Sequence, residues 1–345
     1  MTVVAPRIGF HDPQIEMAHG AGGRASRRLI EGLLVPLLGA QVEPLADAAL
    51  LTINGNRLAF TADSFVVRPL RFPGGSIGDL AVNGTVNDLA VSGARAAALL
   101  VTFVLEAGLP SAELELEVRA IAAAAGRADV KIVGGDTKVV ENGKADGMYI
   151  TTAGIGLIDP RVHLSPDTVR PGDRVLVSGH IGDHGITVLL ARGDIGLDSD
   201  LTSDTRSVRP FVDCLVDAAA PGLRWMRDPT RGGVATALNE LARDARVAVV
   251  LTEDRVPMRD EVRGACELLG LDPLHIANEG QFLAVVAPEH ADAALAAVRS
   301  VAGGEAASLI GEIRETPAGM VLVASAYGGT RVLDMLVGDP LPRIC

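Results

Sequence analysis

Short runs of Val, Ile, Leu and Phe alternate along the chain with longer alanine-rich stretches, the texture of strands interleaved with helices. In the first half, RLAFTADSFVV reads as a strand broken at Asp63, IGDLAVNGTVNDLAVSGA as a helix and AAALLVTFVLE as a strand. A helix follows in SAELELEVRAIAAAAGRA, opened by Ser111 with Glu113 and Glu115 in its first turn, where carboxylates meet the positive end of the helix dipole. VKIVGGDTKVV and MYITTAGIGLI add two strands. DPRVHLSPDTVRPGD then interrupts the pattern with clustered Pro and Asp, which predicts a domain boundary near residue 165. A second series opens with the strand RVLVSG; HGITVLLARG, GGVATALNELARDA, MRDEVRGACELLG and HADAALAAVRSVAG read as helices, and VAVVLT, QFLAVVAP and MVLVAS as strands. From Tyr327 the pattern stops. The chain thus divides into 1–165, 166–326 and a tail over 327–345, where Pro340 and Pro342 disfavour helix and keep the segment extended.

Length agrees with this division, since 345 residues suit two domains of about 150 each. With 1 Trp, 2 Tyr and 7 Phe, the cores must be built from Ala, Val, Leu and Ile, as α/β layers are. A net charge of −12 argues against nucleic acid as a partner, because a binder must displace counterions with a positive footprint. Phosphates stay within reach of an acidic protein if backbone amides and a divalent cation neutralise them. Cys214, Cys266 and Cys345 form no CxxC and no zinc spacing, and their odd number predicts a reducing, cytoplasmic compartment. The first 20 residues lack a signal-peptide pattern and no apolar run reaches about 18 residues, so neither export nor a membrane segment is expected. Cys345 is the oddity: a thiol at the end of a chain contributes little to packing and asks for a chemical explanation.

Neither a Walker loop nor a strand-associated GxGxxG is present. Paired glycines recur instead in HGAGG (19–23), FPGGSIG (72–78), VGGDT (133–137), PTRGG (229–233) and YGGT (327–330). Such pairs are either plain turns or places where backbone amides close on an anion. Near them stand Asp47, Asp63, Asp88, Asp136 and Asp228. Each is either a cap or turn residue or, taken together, part of an oxygen cage for Mg2+ beside ATP phosphates. His180 and His184 share the i,i+4 spacing of a zinc pair, but the glycines around them oppose a zincin-like helix and predict loop histidines near the site at most. Lys138 and Glu279 are candidates for acid–base work, provided that burial or a partner carboxylate brings the lysine below its ordinary pKa of about 10.4.

AHGAGG, TADSFVV, FPGGSIGDLAVNGTVNDLA, VGGDTKVV, SGHIGDHG, RDPTRGGVATALNELA, NEG and the terminal DPLPRIC occur in an order and spacing similar to those of the HypE family of nickel–iron hydrogenase maturation factors. The resemblance covers nearly the whole chain. It extends to the superfamily of aminoimidazole ribonucleotide synthetase and selenophosphate synthetase, whereas the PRIC ending is specific to HypE. It implies an α/β (α+β) two-domain synthetase fold: an N-terminal ATP-binding domain over 1–165 whose mixed sheet pairs in a homodimer, a C-terminal α/β domain over 166–326, and a flexible tail over 327–345. The implied activity is ATP-dependent dehydration of an S-carbamoylated Cys345 to a thiocyanate, with a HypF-type carbamoyltransferase as donor and a HypC–HypD iron scaffold as acceptor of the cyanide. By the same resemblance Asp47, Asp88 and Asp228 would ligate Mg2+. ATP would be held by Gly22, Gly23, Asp63, Asn87, Gly134, Gly135, Asp136, Thr137 and Arg231. Lys138 would take a proton with Glu279 as its relay, and Asp88 would keep metal and phosphate in register. Ser76 stands where relatives are expected to carry an aspartate. A synthetase of the same superfamily acting on a free small molecule is the alternative reading, and a non-enzymatic docking tail a third.

Overall fold

The computed structural model describes residues 9–38, 46–193, 195–197, 199–325, 327–338 and 341–345; Pro340 and the first eight positions lie outside the described residues. The N-terminal half begins with α1 (Arg24–Leu29) and α2 (Val35–Leu38), joined by a π-helical stretch, Ile30–Leu34. There follow β1 (Ala49–Ile53), β2 (Asn56–Phe65), the short hairpin β3 (Arg71–Phe72) and β4 (Gly75–Ser76), α3 (Ile77–Val91), β5 (Ala94–Glu106), α4 (Ser111–Arg127), β6 (Lys131–Val140) and β7 (Met148–Ile158). Five strands form one mixed sheet in the order β1-β2-β7-β5-β6. Only β5 and β6 run parallel, the pair joined by the α4 crossover. Strand alternation gives the sheet two faces. Ala59, Thr61, Asp63 and Phe65 of β2 turn inward to α3, whereas Phe60 turns outward and is exposed. The break expected at Asp63 does not occur: Asp63 pairs with Thr152 in an unbroken ladder, and its carboxylate is presented on the helix face. Helix α3 is apolar on almost every side because β2, β5 and β7 cover one flank and α4 and α6 the other.

The C-terminal half runs β8 (Arg174–Val177), α5 (Asp183–Ala191), α6 (Arg209–Ala219), β9 (Leu223–Arg227), α7 (Gly233–Ala245), β10 (Ala248–Thr252), α8 (Asp260–Leu269), β11 (Leu283–Val286), α9 (Ala291–Ser300), β12 (Ser308–Arg314), β13 (Met320–Ala324) and β14 (Thr330–Leu333). Seven strands form the sheet β14-β13-β10-β12-β8-β11-β9. Its near-continuous apolar strands are explained by burial on both faces. Leu283 and Val285 face Leu238 and Leu241 of α7, while Ala284 and Val286 face Phe211 and Leu215 of α6. Thr330–Leu333, read above as tail, pairs with β13, so its Leu333 reaches the core. Among the described residues no helix is long and apolar enough to cross a membrane.

Candidate active site

Asp47 just ahead of β1, Asp63 on β2, Asp88 on α3 and Asp228 directly after β9 bring four carboxylates to one place between the halves. One oxygen each from Asp47, Asp88 and Asp228 lies within 4.8 Å of the others. Thr61 Oγ1 is 2.8 Å from both Asp88 Oδ2 and the Asp47 carbonyl, and its single proton serves only one of them. Burial, and then the charges of Asp63, Asp228 and Asp47, push Asp88 well above the usual carboxylate range. Burial and the charges of Asp47 and Asp63 raise Asp228 likewise. Burial lifts Asp47 to about 6 against the pull of Arg227, and it raises Asp63 against a hydrogen bond with Asp88. Crowded, desolvated carboxylates favour a bound cation, and an all-oxygen donor set suits Mg2+.

A cavity of about 430 Å3 opens on this cluster, walled by Gly22, Gly23, Asp63, Arg231 and the start of α7 at Gly233. Amides at the N-terminus of that 13-residue helix, together with the guanidinium, favour anions on this wall. Gly22 has φ +77°, and a Cβ there would lie 2.8 Å from Arg231 Cβ, so the glycine lets HGAGG close against PTRGG. Arg231 Nη1 donates to Gly20 O at 2.8 Å, which ties the two motifs. Asn87, expected at the nucleotide, is committed elsewhere: Oδ1 accepts from Val208 N (2.8 Å) and Nδ2 donates to Arg206 O (3.0 Å) and Glu279 O (3.3 Å).

Cys345 lines a second cavity, of about 40 Å3, with Asp63, Asp88, Asp228, Arg231 and Glu279. The two cavities share Asp63, Asp88, Asp228 and Arg231 as walls. Glu279 is 3% exposed. Burial, then Asp228, Asp204 and Asp63, push its carboxyl well above the ordinary range. The tail that delivers Cys345, expected to be flexible, is docked here, and Leu341 and Ile344 gain burial in the core. Val66 N donates to Cys345 O (3.0 Å) and Arg68 N to Arg343 O (3.2 Å), so the last residues add antiparallel to the chain just past β2. Arg343 Nη1 meets Asp146 Oδ2 at 3.0 Å. His184, on α5 rather than in a loop, is fully buried and places Nε2 2.6 Å from Ile344 O. Burial pushes this imidazole down to about 4, so it is neutral near pH 7. A carbonyl only accepts; Nε2 therefore carries the proton and Ser203 donates to Nδ1 at 2.8 Å.

Models of the AIR synthase related protein match residues 45–158 (N-terminal domain) and 170–323 (C-terminal domain). A carbamoyl dehydratase HypE of Azotobacter vinelandii is 46% identical over 340 residues, 98% of this chain and 99% of that protein. The chain belongs to the HypE family. HypE in complex with ATP superposes with a TM-score of 0.80 at 44% identity, covering 96% of this chain and 100% of that one. HypE in the HypE–HypF complex gives 0.85 at 40% identity over 89% and 99%.

Not every residue carried over from HypE meets in one subunit. Gly134, Gly135, Asp136, Thr137 and Lys138 lie on β6, the edge strand, which is exposed along Lys131–Val139. Gly135 is required there because a Cβ would sit 1.7 Å from Val101 O of β5. Lys138 Nζ pairs with Asp136 at 2.8 Å. Register puts both on the outer face, since Asp136 is level with Thr102 and Lys138 with Val104, whereas the carboxylate cluster is on the α3 face. Other residues around the carboxylate cluster went unforeseen. Arg227 Nε donates to Asp47 Oδ1 (2.7 Å) and Nη2 to Glu240 Oε2 (3.1 Å), while Arg27 holds the other Glu240 oxygen (3.2 Å). Asp204 accepts from the amides of Glu279 (3.0 Å) and Gly280 (3.2 Å). Arg227 adjoins Asp228 in RDPTRGG, a usable signal; Asp204 and Glu240 carry none.

Proposed function

We propose that the chain is an ATP-dependent carbamoyl dehydratase whose substrate is its own carbamoylated Cys345, supplying cyanide for hydrogenase maturation. The observation that carries this reading is that the cavity holding Cys345 shares its carboxylate walls with a cavity of nucleotide size. An amide oxygen leaves poorly. Transfer of the γ-phosphoryl group to it converts the departing oxygen into phosphate, and loss of two protons from nitrogen completes S–C≡N. Arg231 and the α7 amides would orient the phosphates, and Glu279, which lines the same cavity as Cys345, would accept a proton from nitrogen. Mg2+ on Asp47, Asp88 and Asp228 would offset charge on the transferring phosphoryl group.

A HypF-type carbamoyltransferase would load the thiol and a HypC–HypD scaffold would take the cyanide, in the cytoplasm. A homodimer is supported by Phe60, Leu100 and Leu157, apolar and exposed on the outer sheet face beside the uncovered edge of β6. A synthetase acting on a free small molecule gives the docked thiol no role. Mass spectrometry of the C-terminal peptide after incubation with HypF, carbamoyl phosphate and ATP tests the reading. A carbamoyl adduct is expected that loses one water only with ATP; an unmodified tail would reject it.

Cation binding has its own signature. Asp47 titrates at about 6 in the fold against an ordinary 3.8, so the folded state binds the extra proton and metal-free stability falls as pH rises between these values. Mg2+ must displace such protons, so its stabilisation is expected to be smaller at pH 5 than at pH 7.5, and to reach about 2.7 kcal/mol wherever Mg2+ is in hundredfold excess over its Kd at that pH. Thermal melts with and without Mg2+ at both pH values check this; identical melts at pH 7.5 would remove the cation site.

A further inference from the structure

The tail is held by more than burial. Four donors make five hydrogen bonds to the main chain of residues 342–345, and none needs a particular tail side chain: Val66 N, Arg68 N, His184 Nε2, and Arg192 Nη2 on the carbonyls of Pro342 and Arg343, the latter at 2.7 Å. His184 lies in the first turn of α5 and Arg192 is its C-cap residue, so one helix grips three successive carbonyls, 342 to 344, from both of its ends. His184 is itself fixed by Ser203 and by the edge of the Phe72 ring, with ring centroids 5.4 Å apart, and Arg192 by a bond from Nε to Arg68 O at 3.0 Å. Such a grip counts residues back from the chain end and sets how deep the thiol sits among Asp63, Asp88 and Glu279.

We propose that His184 and Arg192 are positioning residues that latch the tail, and that this latch favours dehydration while opposing capture of Cys345 by the carbamoylating partner. The second half rests on the reading that Cys345 is the carbamoylated substrate. A partner must draw the thiol out of a cavity of about 40 Å3 and out of register with α5 before it can reach the sulfur. Loss of the latch therefore moves the two steps in opposite directions, which a merely structural role for either residue does not do.

The full-length protein is compared with His184→Phe, which keeps a buried ring but removes the donor, and with Arg192→Ala on the half-buried end of the helix. Alkylation of Cys345 by iodoacetamide, followed by peptide mass spectrometry to separate it from Cys214 and Cys266, reads undocking without any enzyme partner. Each substitution is expected to speed it about 5- to 10-fold, the worth of one or two hydrogen bonds. Carbamoylation by HypF should rise by a similar factor, and ATP-dependent water loss from the carbamoylated tail should fall. Unchanged alkylation in Arg192→Ala, or two steps that fall together, would overturn the latch. Should His184→Phe fail to fold, Arg192→Ala carries the test alone. Should the wild type take up no carbamoyl group, the function fails and alkylation still decides the latch.

Discussion

One glycine appended after Cys345 is expected to lower ATP-dependent water loss from the carbamoylated tail by about 100-fold or more, with melting temperature and nucleotide affinity unchanged. The magnitude is that of an ångström-scale misplacement of a reacting group, and a whole residue shifts the chain by about 3.3 Å or more. Space gives the first reason: the cavity around Cys345 is only about 40 Å3 and is walled by Glu279, Asp63 and Asp228. Register gives the second. Val66 N bonds Cys345 O, Arg68 N bonds Arg343 O, and Ile344 is buried, so an added residue must either enter the carboxylate cluster or slide the apolar side chain out of its socket. A C-terminal amide on Cys345 retains the oxygen that accepts from Val66 and should remain active. Near-normal thiocyanate yield from the glycine-extended protein, read by mass spectrometry of the tail, would refute the register argument.

What the sequence reveals of this site depends on how local each cause is. The aspartate motifs are legible because each pairs a carboxylate with a strand end or a helix that its own neighbours specify, and Asp47, Asp88 and Asp228 do meet. Asp63 misled as a strand break: polarity in a strand looks like an interruption until α3 is known to need that carboxylate on its own face. Strand β12, SLIGEIR, and strand β9, LRWMR, escaped because Gly311, Glu312 and Arg224 blur their apolar signal, although β12 lies inside the second sheet and β9 forms one of its edges. The glycines around His184 argued for a loop, yet Gly182 serves as the N-cap of α5 with φ +85°. The bond of His184 to Ile344 spans 160 positions, and no local pattern reports such a partner. Asp204 and Glu240 hold groups 75 and 213 positions away and were silent for the same reason.

Lys138→Ala and Glu279→Gln are each expected to slow dehydration by about 10²- to 10⁴-fold, the range for loss of a positioned proton-transfer group. The distinctive expectation concerns their mixture. Within one subunit the two residues are apart: β6 is three strand spacings from β2, about 14 Å, and Lys138 points from the face opposite α3 while Glu279 is buried against Gly84 of that helix. If they cooperate as the family resemblance implies, Lys138 must come from the second copy of a dimer. A protomer carrying Lys138→Ala then supplies an intact Glu279, and one carrying Glu279→Gln supplies an intact Lys138. Random pairing of equal amounts makes half of the dimers mixed, and each mixed dimer holds one complete site of two, so about a quarter of wild-type activity should return. Subunits exchanged under mild denaturant and assayed for thiocyanate check this directly. A mixture no more active than either parent would refute the cross-subunit site, and an active Lys138→Ala would remove the lysine from the proton path altogether.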